Sequence, residues 1–183
     1  PVLIRAACGT IKQAGPHHSG AFHSMWAHIP GLVVVMPSNA ADAKGLIKTA
    51  LHTHNPVIFL EPKSLFSLKV AIPQEPYYLP LGQACVVRSG SDLTMVAAGL
   101  AVHHSLEAAN MLAEQKISAE VIDLRTIFPP DLDTIIESIA HTGKLLVVDE
   151  DFTFCGLAGE ILAEVVEQGS HLLKAPPGRV TCE

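Results

Sequence analysis

Short apolar runs separated by polar segments recur along the whole chain. In the first third, VLIRA, GLVVVMP and NPVIFL are continuous apolar runs bounded by Gly, Pro or Asn, which is typical of strands buried in a parallel sheet. Between the second and third runs, Ala43, Leu46 and Ile47 recur at helical spacing behind a cap at Ser38 or Asn39. The order strand, loop, strand, helix, strand predicts half of a layered α/β unit.

The pattern changes in the segment from Lys63 to Pro80, KSLFSLKVAIPQEPYYLP, which contains three prolines and no sustained periodicity. Such a segment is typical of an extended linker. After it, the runs CVVR, LTMVAAG, AEVIDLR, KLLVVDED and GRVTC alternate with helical patterns, so we predict a second parallel sheet covered on both faces. The predicted fold class is α/β, with two layered units and mainly parallel sheets, divided into residues 1–62, a linker at 63–80 and residues 81–183.

Composition narrows the class of protein. Hydrophobic residues make up 49% of the 183 residues and charged residues 16%, which is typical of a globular chain with a sizeable core. No apolar run approaches the roughly 18 residues of a membrane-spanning helix, so we expect a soluble protein. The formal net charge is −6 and the basic residues are scattered as singles, so a nucleic-acid partner is not expected.

Cysteine usage and the start of the chain add two expectations. The four cysteines, Cys8, Cys85, Cys155 and Cys182, form no CxxC pair, which argues against a disulfide framework or a zinc site and favours a reducing compartment inside the cell. The chain begins at Pro1 within an apolar run, so we expect it to be a piece of a longer protein. It contains no dinucleotide-binding glycine motif, P-loop or nucleophile elbow.

Four of the ten histidines lie within the stretch GPHHSGAFHSMWAHIPGL: His17, His18, His23 and His28. The last three follow one another at intervals of five residues, which neither a helix nor a strand brings to one face, so a metal site is not favoured. His17 and His18 lie in a Gly-flanked loop after a strand, where α/β folds place their sites. Because imidazole exchanges a proton near neutral pH, these two are the candidate catalytic residues.

Motifs in both halves point to one family. The histidine stretch continues as HIPGL, a strand ending in Pro, DAKGL and NPVIFLE, and the second half contains VIDLRT followed by Pro and Asp. In this order they resemble the beta subunit of the thiamine-diphosphate-dependent 2-oxo acid dehydrogenases, the pyruvate, branched-chain 2-oxo acid and acetoin group. The resemblance covers essentially the whole chain. It implies the latter part of a transketolase-like pyrimidine-binding domain, followed by a transketolase-type C-terminal domain.

The resemblance implies one catalytic residue. The family carries an HSQ triplet ten residues before the His of HxPGL, and counting back from His28 gives His18, with Gly20 in place of the family's Gln. His18 would then donate a hydrogen bond or a proton to the cofactor-bound intermediate and assist transfer to lipoamide. His17 is its neighbour, and the later two histidines are expected to serve packing and loop structure.

Some members of the family hold a monovalent cation such as K⁺ in a site built largely from backbone carbonyls. The corresponding positions are Val2, Ala50, Leu51, Thr53 and Asn55. They lie near the end of the predicted helix, where free carbonyl groups suit a cation. The family's acidic side chain at one of these positions is Thr53 here. The alternative is an ordinary helix end, with Asn55 before Pro56.

The resemblance also implies cofactors and partners. The whole enzyme would decarboxylate a 2-oxo acid oxidatively and acylate lipoamide, with thiamine diphosphate and Mg²⁺ bound mainly by an alpha subunit. The glutamate that activates the cofactor lies upstream in the family, so no cofactor-binding residue is assigned in this chain. Expected partners are the alpha subunit, a second beta subunit within a heterotetramer and the lipoyl-bearing acyltransferase core, in the bacterial cytoplasm or, for a eukaryote, the mitochondrial matrix.

Two alternatives stay open. The stretch GPHHSGAFH also resembles the GPTHxG loop of deoxyxylulose-phosphate synthase and transketolase, although VIDLRT and DAKGL favour the dehydrogenases. The other alternative is a non-catalytic module kept for oligomerisation or assembly. In the second half, the polar clusters are interpreted as capping or interface residues: His103, His104, Asp149, Glu150 and Asp151.

Overall fold

The computed structural model describes residues 2–11 and 14–182. Pro1 at the start of the predicted first strand, Lys12 and Gln13 in the predicted loop, and Glu183 at the end of the second unit lie outside the described residues. Among the helices that are described, none combines the length and the apolar character that crossing a membrane requires.

The first half builds a sheet around the predicted apolar runs. Its elements are β1 (Leu3–Cys8), α1 (His23–Ala27), β2 (Val33–Val35), α2 (Ala40–Ala50) and β3 (Val57–Pro62). Strand β3 lies between β1 and β2 and is parallel to both. The predicted strand, loop, strand, helix, strand order is confirmed, and α1 is an additional short helix inside the predicted loop.

The second half supplies a five-stranded sheet in the order β4-β6-β5-β8-β9. Its elements are β4 (Cys85–Arg88), β5 (Leu93–Ala97), α3 (Leu100–Glu114), β6 (Ala119–Asp123), β7 (Thr126–Phe128), α4 (Leu132–Thr142), β8 (Leu145–Phe152), α5 (Leu157–Gly169) and β9 (Gly178–Cys182). Strands β5, β6, β8 and β9 are parallel, whereas β4 is antiparallel to β6. The α/β class with mainly parallel sheets is therefore confirmed.

Strand β7 was not predicted. It belongs to the second half of the chain but joins the sheet of the first half. It pairs antiparallel with β2, so the first sheet has the order β1-β3-β2-β7. One cluster of buried apolar side chains likewise joins the halves, because it contains Val34 and Ile58 of the first sheet together with Ile122, Ile135 and Val147 of the second half. The two predicted units therefore share one hydrophobic core.

Local signals read from the sequence mark the helix ends. The side chain of Asn39 caps α2 by accepting a hydrogen bond from the Asp42 amide at 2.9 Å. Asp131 caps α4 in the same way, and α4 ends at Gly143 with φ at 72°, the left-handed conformation that glycine adopts most readily. The predicted Pro start of α4 is displaced slightly, since the prolines precede the Asp131 cap.

The predicted linker lies against α2. Lys44 Nζ contacts the carbonyls of three consecutive linker residues, including Gln74 O and Glu75 O at 3.2 Å each. A Cβ on Gly45 would lie 2.6 Å from Cγ of Leu79, so only glycine allows this close approach. Apart from a 3-10 turn at Lys63–Leu65, the linker contains no helix or strand. The division at 62/63 and 80/81 stays a prediction.

Candidate active site

The histidine loop, defined here as residues 9–11 and 14–22, follows the carboxyl end of β1. Its two ends approach one another, because the Gly9 amide donates to the Gly20 carbonyl at 2.9 Å. His18 ends a 3-10 turn formed by Pro16–His18. The loop lies beside the carboxyl end of β3, because Lys63, the residue after that strand, contacts the His18 carbonyl through Nζ. Sites in parallel sheets form at this edge.

His18 is exposed, and its turn is fixed mainly through backbone contacts. Its ring centroid lies 4.3 Å from that of His17, which is also exposed. The hydroxyl of Ser19 donates to the Gly15 carbonyl at 2.8 Å and closes the turn. The imidazole of His18 is therefore displayed on an ordered turn, accessible to a substrate or a partner subunit.

Gly20 occupies the position where the resemblance expects Gln. A Cβ placed on Gly20 would lie 2.1 Å from Cε2 of Phe22, so the Phe22 ring occupies the space that a side chain at position 20 would need. The Phe22 side chain is half exposed, at 52%. Gly20, which replaces the Gln of HSQ, is therefore covered by the aromatic ring of Phe22.

His23 is completely buried and forms an ion pair with the second half of the chain. Its Nε2 lies 2.9 Å from Oδ1 of Asp149 and 3.9 Å from Oδ2 of Asp151. Burial opposes the charged imidazole, but contact with Asp149 and the nearby charges of Asp151 and Glu150 outweigh it and raise the pKa of His23. Burial likewise opposes ionised Asp149, and the contact with His23 prevails and lowers the pKa of that carboxyl. Both shifts favour the charged pair.

The acidic segment, residues 149–151 on β8, contacts the chain on both sides of His18. Glu150 Oε1 accepts a hydrogen bond from Thr10 Oγ1 at 3.0 Å, and Asp151 Oδ2 accepts one from the Ser24 amide at 3.3 Å. The Ser24 hydroxyl in turn accepts from the Leu157 amide at 2.8 Å, at the start of α5. These acidic residues therefore form a contact between the two halves of this chain, and their predicted role as capping or subunit-interface residues stays a prediction.

The other singled-out histidines lie at the surface or between the halves. The prediction that His28 serves packing is wrong, because α1 ends at Ala27 and leaves His28 exposed on the wall of a groove of about 890 Å³. His103 Nε2 lies 2.8 Å from the Ser38 carbonyl, so it contacts the first half of the chain, and its predicted capping or subunit-interface role stays a prediction. His104 is exposed on α3.

The two motifs DAKGL and VIDLRT meet in a second contact between the halves. Arg125 Nη2 lies 2.8 Å from Asp42 Oδ1, and Arg125 Nε lies 3.0 Å from Oδ2 of the same carboxylate. Beside them Asp123 is fully buried and accepts hydrogen bonds from the Ser38 hydroxyl and the Arg125 amide. Burial raises the pKa of Asp123 to about 6, although the Ser38 hydroxyl and the Arg125 amide oppose the shift.

The five positions assigned to a cation lie around the turn between α2 and β3. The Val2 carbonyl accepts a hydrogen bond from the Val57 amide at 2.8 Å, and Thr53 Oγ1 accepts one from the Asn55 amide at 3.4 Å. Ala50 is buried in the last turn of α2, and Leu51 caps that helix with an exposed side chain. The cation site stays a prediction.

Metal-binding side chains are not gathered anywhere in the described part of the chain. Residues 2–11 and 14–182 contain no group of three or more His, Cys, Asp and Glu side chains that could hold a metal ion. The four cysteines are free thiols, and burial raises the pKa of Cys8 to about 12, which keeps that thiol unreactive. The described residues therefore do not fit the Mg²⁺ that the resemblance implies.

Comparison with known proteins agrees with this geometry. The family model for the transketolase pyrimidine-binding domain matches residues 1–69, and that for the transketolase C-terminal domain matches residues 82–183. The chain therefore belongs to the transketolase family, as the sequence motifs predicted. A solved structure, a split gene transketolase described as an inactive beta4 tetramer, superposes with a TM-score of 0.81 at 27% identity, covering 100% of this chain and 57% of that one.

Its curated relatives are beta subunits of dehydrogenases. The chain is 46% identical, over 175 residues, to the beta subunit of acetoin:2,6-dichlorophenolindophenol oxidoreductase of Cupriavidus necator, covering 96% of this chain and 52% of that protein. It is 41% identical to the pyruvate dehydrogenase E1 beta subunit of Rhizobium meliloti, covering 96% and 38% respectively, and to the 2-oxoisovalerate dehydrogenase beta subunit of Bacillus subtilis, covering 98% and 55%. The chain thus spans about half the length of the Cupriavidus necator and Bacillus subtilis relatives and 38% of the Rhizobium meliloti one.

Proposed function

We propose that this chain is part of the beta subunit of a thiamine-diphosphate-dependent 2-oxo acid dehydrogenase, with His18 as its catalytic residue. The observation that carries the proposal is the exposed His18 on an ordered turn at the carboxyl ends of β1 and β3, in a chain whose relatives are such beta subunits. The alternatives of deoxyxylulose-phosphate synthase and transketolase are less favoured, because the curated relatives bear dehydrogenase and oxidoreductase names.

In this proposal the chain's own chemistry is confined to the histidine loop. Thiamine diphosphate, when bound, supplies the carbanion-stabilising ring on which a 2-oxo acid can lose carbon dioxide. The imidazole of His18 donates a hydrogen bond or a proton to the reacting group and assists acyl transfer to lipoamide. The described residues supply no cluster of metal-binding side chains, so we assign Mg²⁺ and the diphosphate to an alpha subunit and K⁺ to the backbone carbonyls near Asn55.

Partner subunits follow from the same proposal. The groove of about 890 Å³ between α1 and α5 exposes Phe22, Met25, Phe152 and Phe154, and an apolar surface of this kind is typical of a subunit interface. We infer an alpha subunit, a second beta subunit and a lipoyl-bearing acyltransferase core as partners. A bacterial cytoplasmic or mitochondrial location stays a prediction.

The experiment that tests this function uses the full-length beta subunit. We expect decarboxylation of pyruvate or 2-oxoisovalerate by the beta subunit together with an alpha subunit, in the presence of thiamine diphosphate and Mg²⁺. The beta subunit alone should show none. An absence of thiamine diphosphate binding and of turnover with every alpha subunit tried would instead support the non-catalytic assembly module.

A further inference from the structure

We propose that His23 is a positioning residue, which holds the turn carrying His18 in its working place through the buried ion pair with Asp149. This inference rests on the proposed function of His18. It goes beyond it by assigning a role to a buried charged histidine that the proposed chemistry does not use.

The geometry links the two histidines directly. His23 begins α1, and only four residues separate it from His18. The side chain of His23 is 0% exposed and that of Asp149 is 6% exposed, so the contact is shielded from water and from salt. A shift of His23 is therefore passed to His18 through a very short stretch of chain.

The acidic segment holds the loop at two places. Ahead of the undescribed residues, Thr10 Oγ1 donates to Glu150 Oε1 at 3.0 Å, and beyond His18 the His23 ring and the Ser24 amide contact Asp149 and Asp151. All three acidic residues lie on β8, between Val148, where its pairing with β5 ends, and Phe152, where its pairing with β9 resumes after a register shift. The histidine loop is thus attached to the second half on both flanks of His18.

The ion pair is the chief polar interaction of His23. Among the described residues, neither ring nitrogen of His23 nor Asp149 Oδ2 has a hydrogen-bond partner, and Asp149 Oδ1 also accepts from the Asp151 amide at 3.2 Å. Removing the His23 charge would leave the Asp149 and Asp151 carboxylates without a cation, and removing Asp149 would leave His23 with Asp151 alone, at 3.9 Å, so the local structure would rearrange. The contact therefore controls where the loop lies.

A displaced His18 would lower turnover more than binding. A misplacement of about 1 Å in a catalytic group costs up to about a hundredfold in rate, because the proton donor no longer meets the reacting atom. Substrate affinity depends on other groups and would change little. A residue with a purely structural role would instead lower the amount of folded enzyme and leave the kcat of the remainder unchanged.

The test uses the full-length beta subunit assembled with its alpha subunit. We would compare His23→Gln, Asp149→Asn and the double variant with His171→Gln, a matched control at an exposed histidine that does not line the groove. For His23→Gln we expect kcat to fall roughly ten- to a hundredfold with KM changed less than about threefold. Amide hydrogen exchange in residues 14–22 should become faster. The control variant should match the wild type in kcat, in KM and in amide exchange.

The double variant makes the test specific to the pair. Because it removes both members of the pair, its kcat should be no lower than that of either single variant, a non-additive result expected of residues that act through one contact. If only the double variant folds, its exchange in residues 14–22 should still exceed that of the wild type. Additive losses in kcat, or unchanged exchange and kcat in a folded His23→Gln enzyme, would overturn the proposal.

Failure of the proposed function is distinguishable from failure of this inference. If the wild-type complex shows no turnover that depends on thiamine diphosphate, His18 has no catalytic role in it. The hydrogen-exchange measurement would still show whether His23 holds the turn in place. If the wild type is active and His23→Gln changes neither amide exchange nor kcat, the proposed function is retained and His23 has no positioning role.

Discussion

Arg125 and Asp42, which are 83 residues apart in the chain, form a two-pronged ion pair across the boundary between the halves. Both belong to the motifs that carry the family resemblance, DAKGL and VIDLRT. These two motifs therefore supply residues that attach one half of the chain to the other. Lys44 and Gly45 of the first motif add to it by contacting the linker.

Arg125→Lys should destabilise the protein while keeping the charge. Lysine cannot reproduce the paired hydrogen bonds of the planar guanidinium, and a largely buried carboxylate would lose one of its donors. We expect the free energy of unfolding to fall by about 1.5–3 kcal/mol, measured by urea unfolding at neutral pH. Arg5→Lys is the control, because the ion pair of Arg5 with Glu61 lies in solvent and its loss should have a much smaller effect. Equal effects at the two sites would contradict the prediction.

Asp123 should make stability depend on pH in the direction opposite to that of most carboxylates. Its pKa rises from 3.8 to about 6 in the folded state, so the folded protein holds this proton more tightly than the unfolded chain. The associated stability is fully present below about pH 4 and is lost as the pH rises through about 6. The shift corresponds to roughly 3 kcal/mol.

Asp123→Asn isolates that contribution. The amide oxygen can accept from the Arg125 amide, and the amide nitrogen can donate to the Ser38 hydroxyl. We expect the difference in free energy of unfolding, variant minus wild type, to increase between pH 4 and pH 7 in a series of urea unfolding curves. Other titrating groups, including His23 and Asp149, are common to both proteins and cancel. A difference that is flat or falls with pH would count against a raised pKa.

His18→Ala should lower the turnover of the assembled enzyme by about a hundredfold or more, the usual contribution of a general acid or base. Before the structure is considered, His23→Ala looks like a suitable control. It is not one, because His23 is buried in an ion pair. His171→Ala is the appropriate control, since that histidine is exposed and lies outside both the histidine loop and the groove. Similar turnover in the two variants would remove the assignment of His18.

Gly20→Ala should displace the Phe22 ring. The new Cβ would overlap that ring, and the half-exposed ring can swing outward at a cost of about 1 kcal/mol. Thermal unfolding should show a lower midpoint for Gly20→Ala. The double variant Gly20→Ala with Phe22→Ala should lose no further stability beyond that of Phe22→Ala alone. A Gly20→Ala protein as stable as the wild type would show that the position of the Phe22 ring does not require a glycine at position 20.

Local chemistry in the sequence predicted most of the helices and strands. Strands β2 and β3 were recognisable from β-branched runs and α2 from the cap at Ser38 or Asn39, whereas the cap of α4 at Asp131 was not predicted. Strand β7 was missed, because three residues carry no periodicity and its partner β2 belongs to the other half. Pairing over such distances is a property of the folded chain, and no local pattern encodes it.

The site was predicted unevenly for the same reason. The choice of His18 came from the family resemblance, by counting back ten residues from His28 to the position of HSQ, whereas the loop alone left both His17 and His18 as candidates; its role stays a prediction. The partner of His23 lies far along the chain, so the ion pair could not be derived from spacing. One signal was available: an uninterrupted acidic triplet at the end of an apolar strand, which requires a positive partner when it is partly buried.

Strand β7 has a consequence for how this protein can be divided. A cut anywhere in the linker would separate β7 from β2, leaving Val34 without its neighbour on one side and baring Ile127 on the other. Shuffling the two halves independently among related genes would therefore tend to yield insoluble products, whereas exchanging them together would not. The two halves therefore form one structural unit.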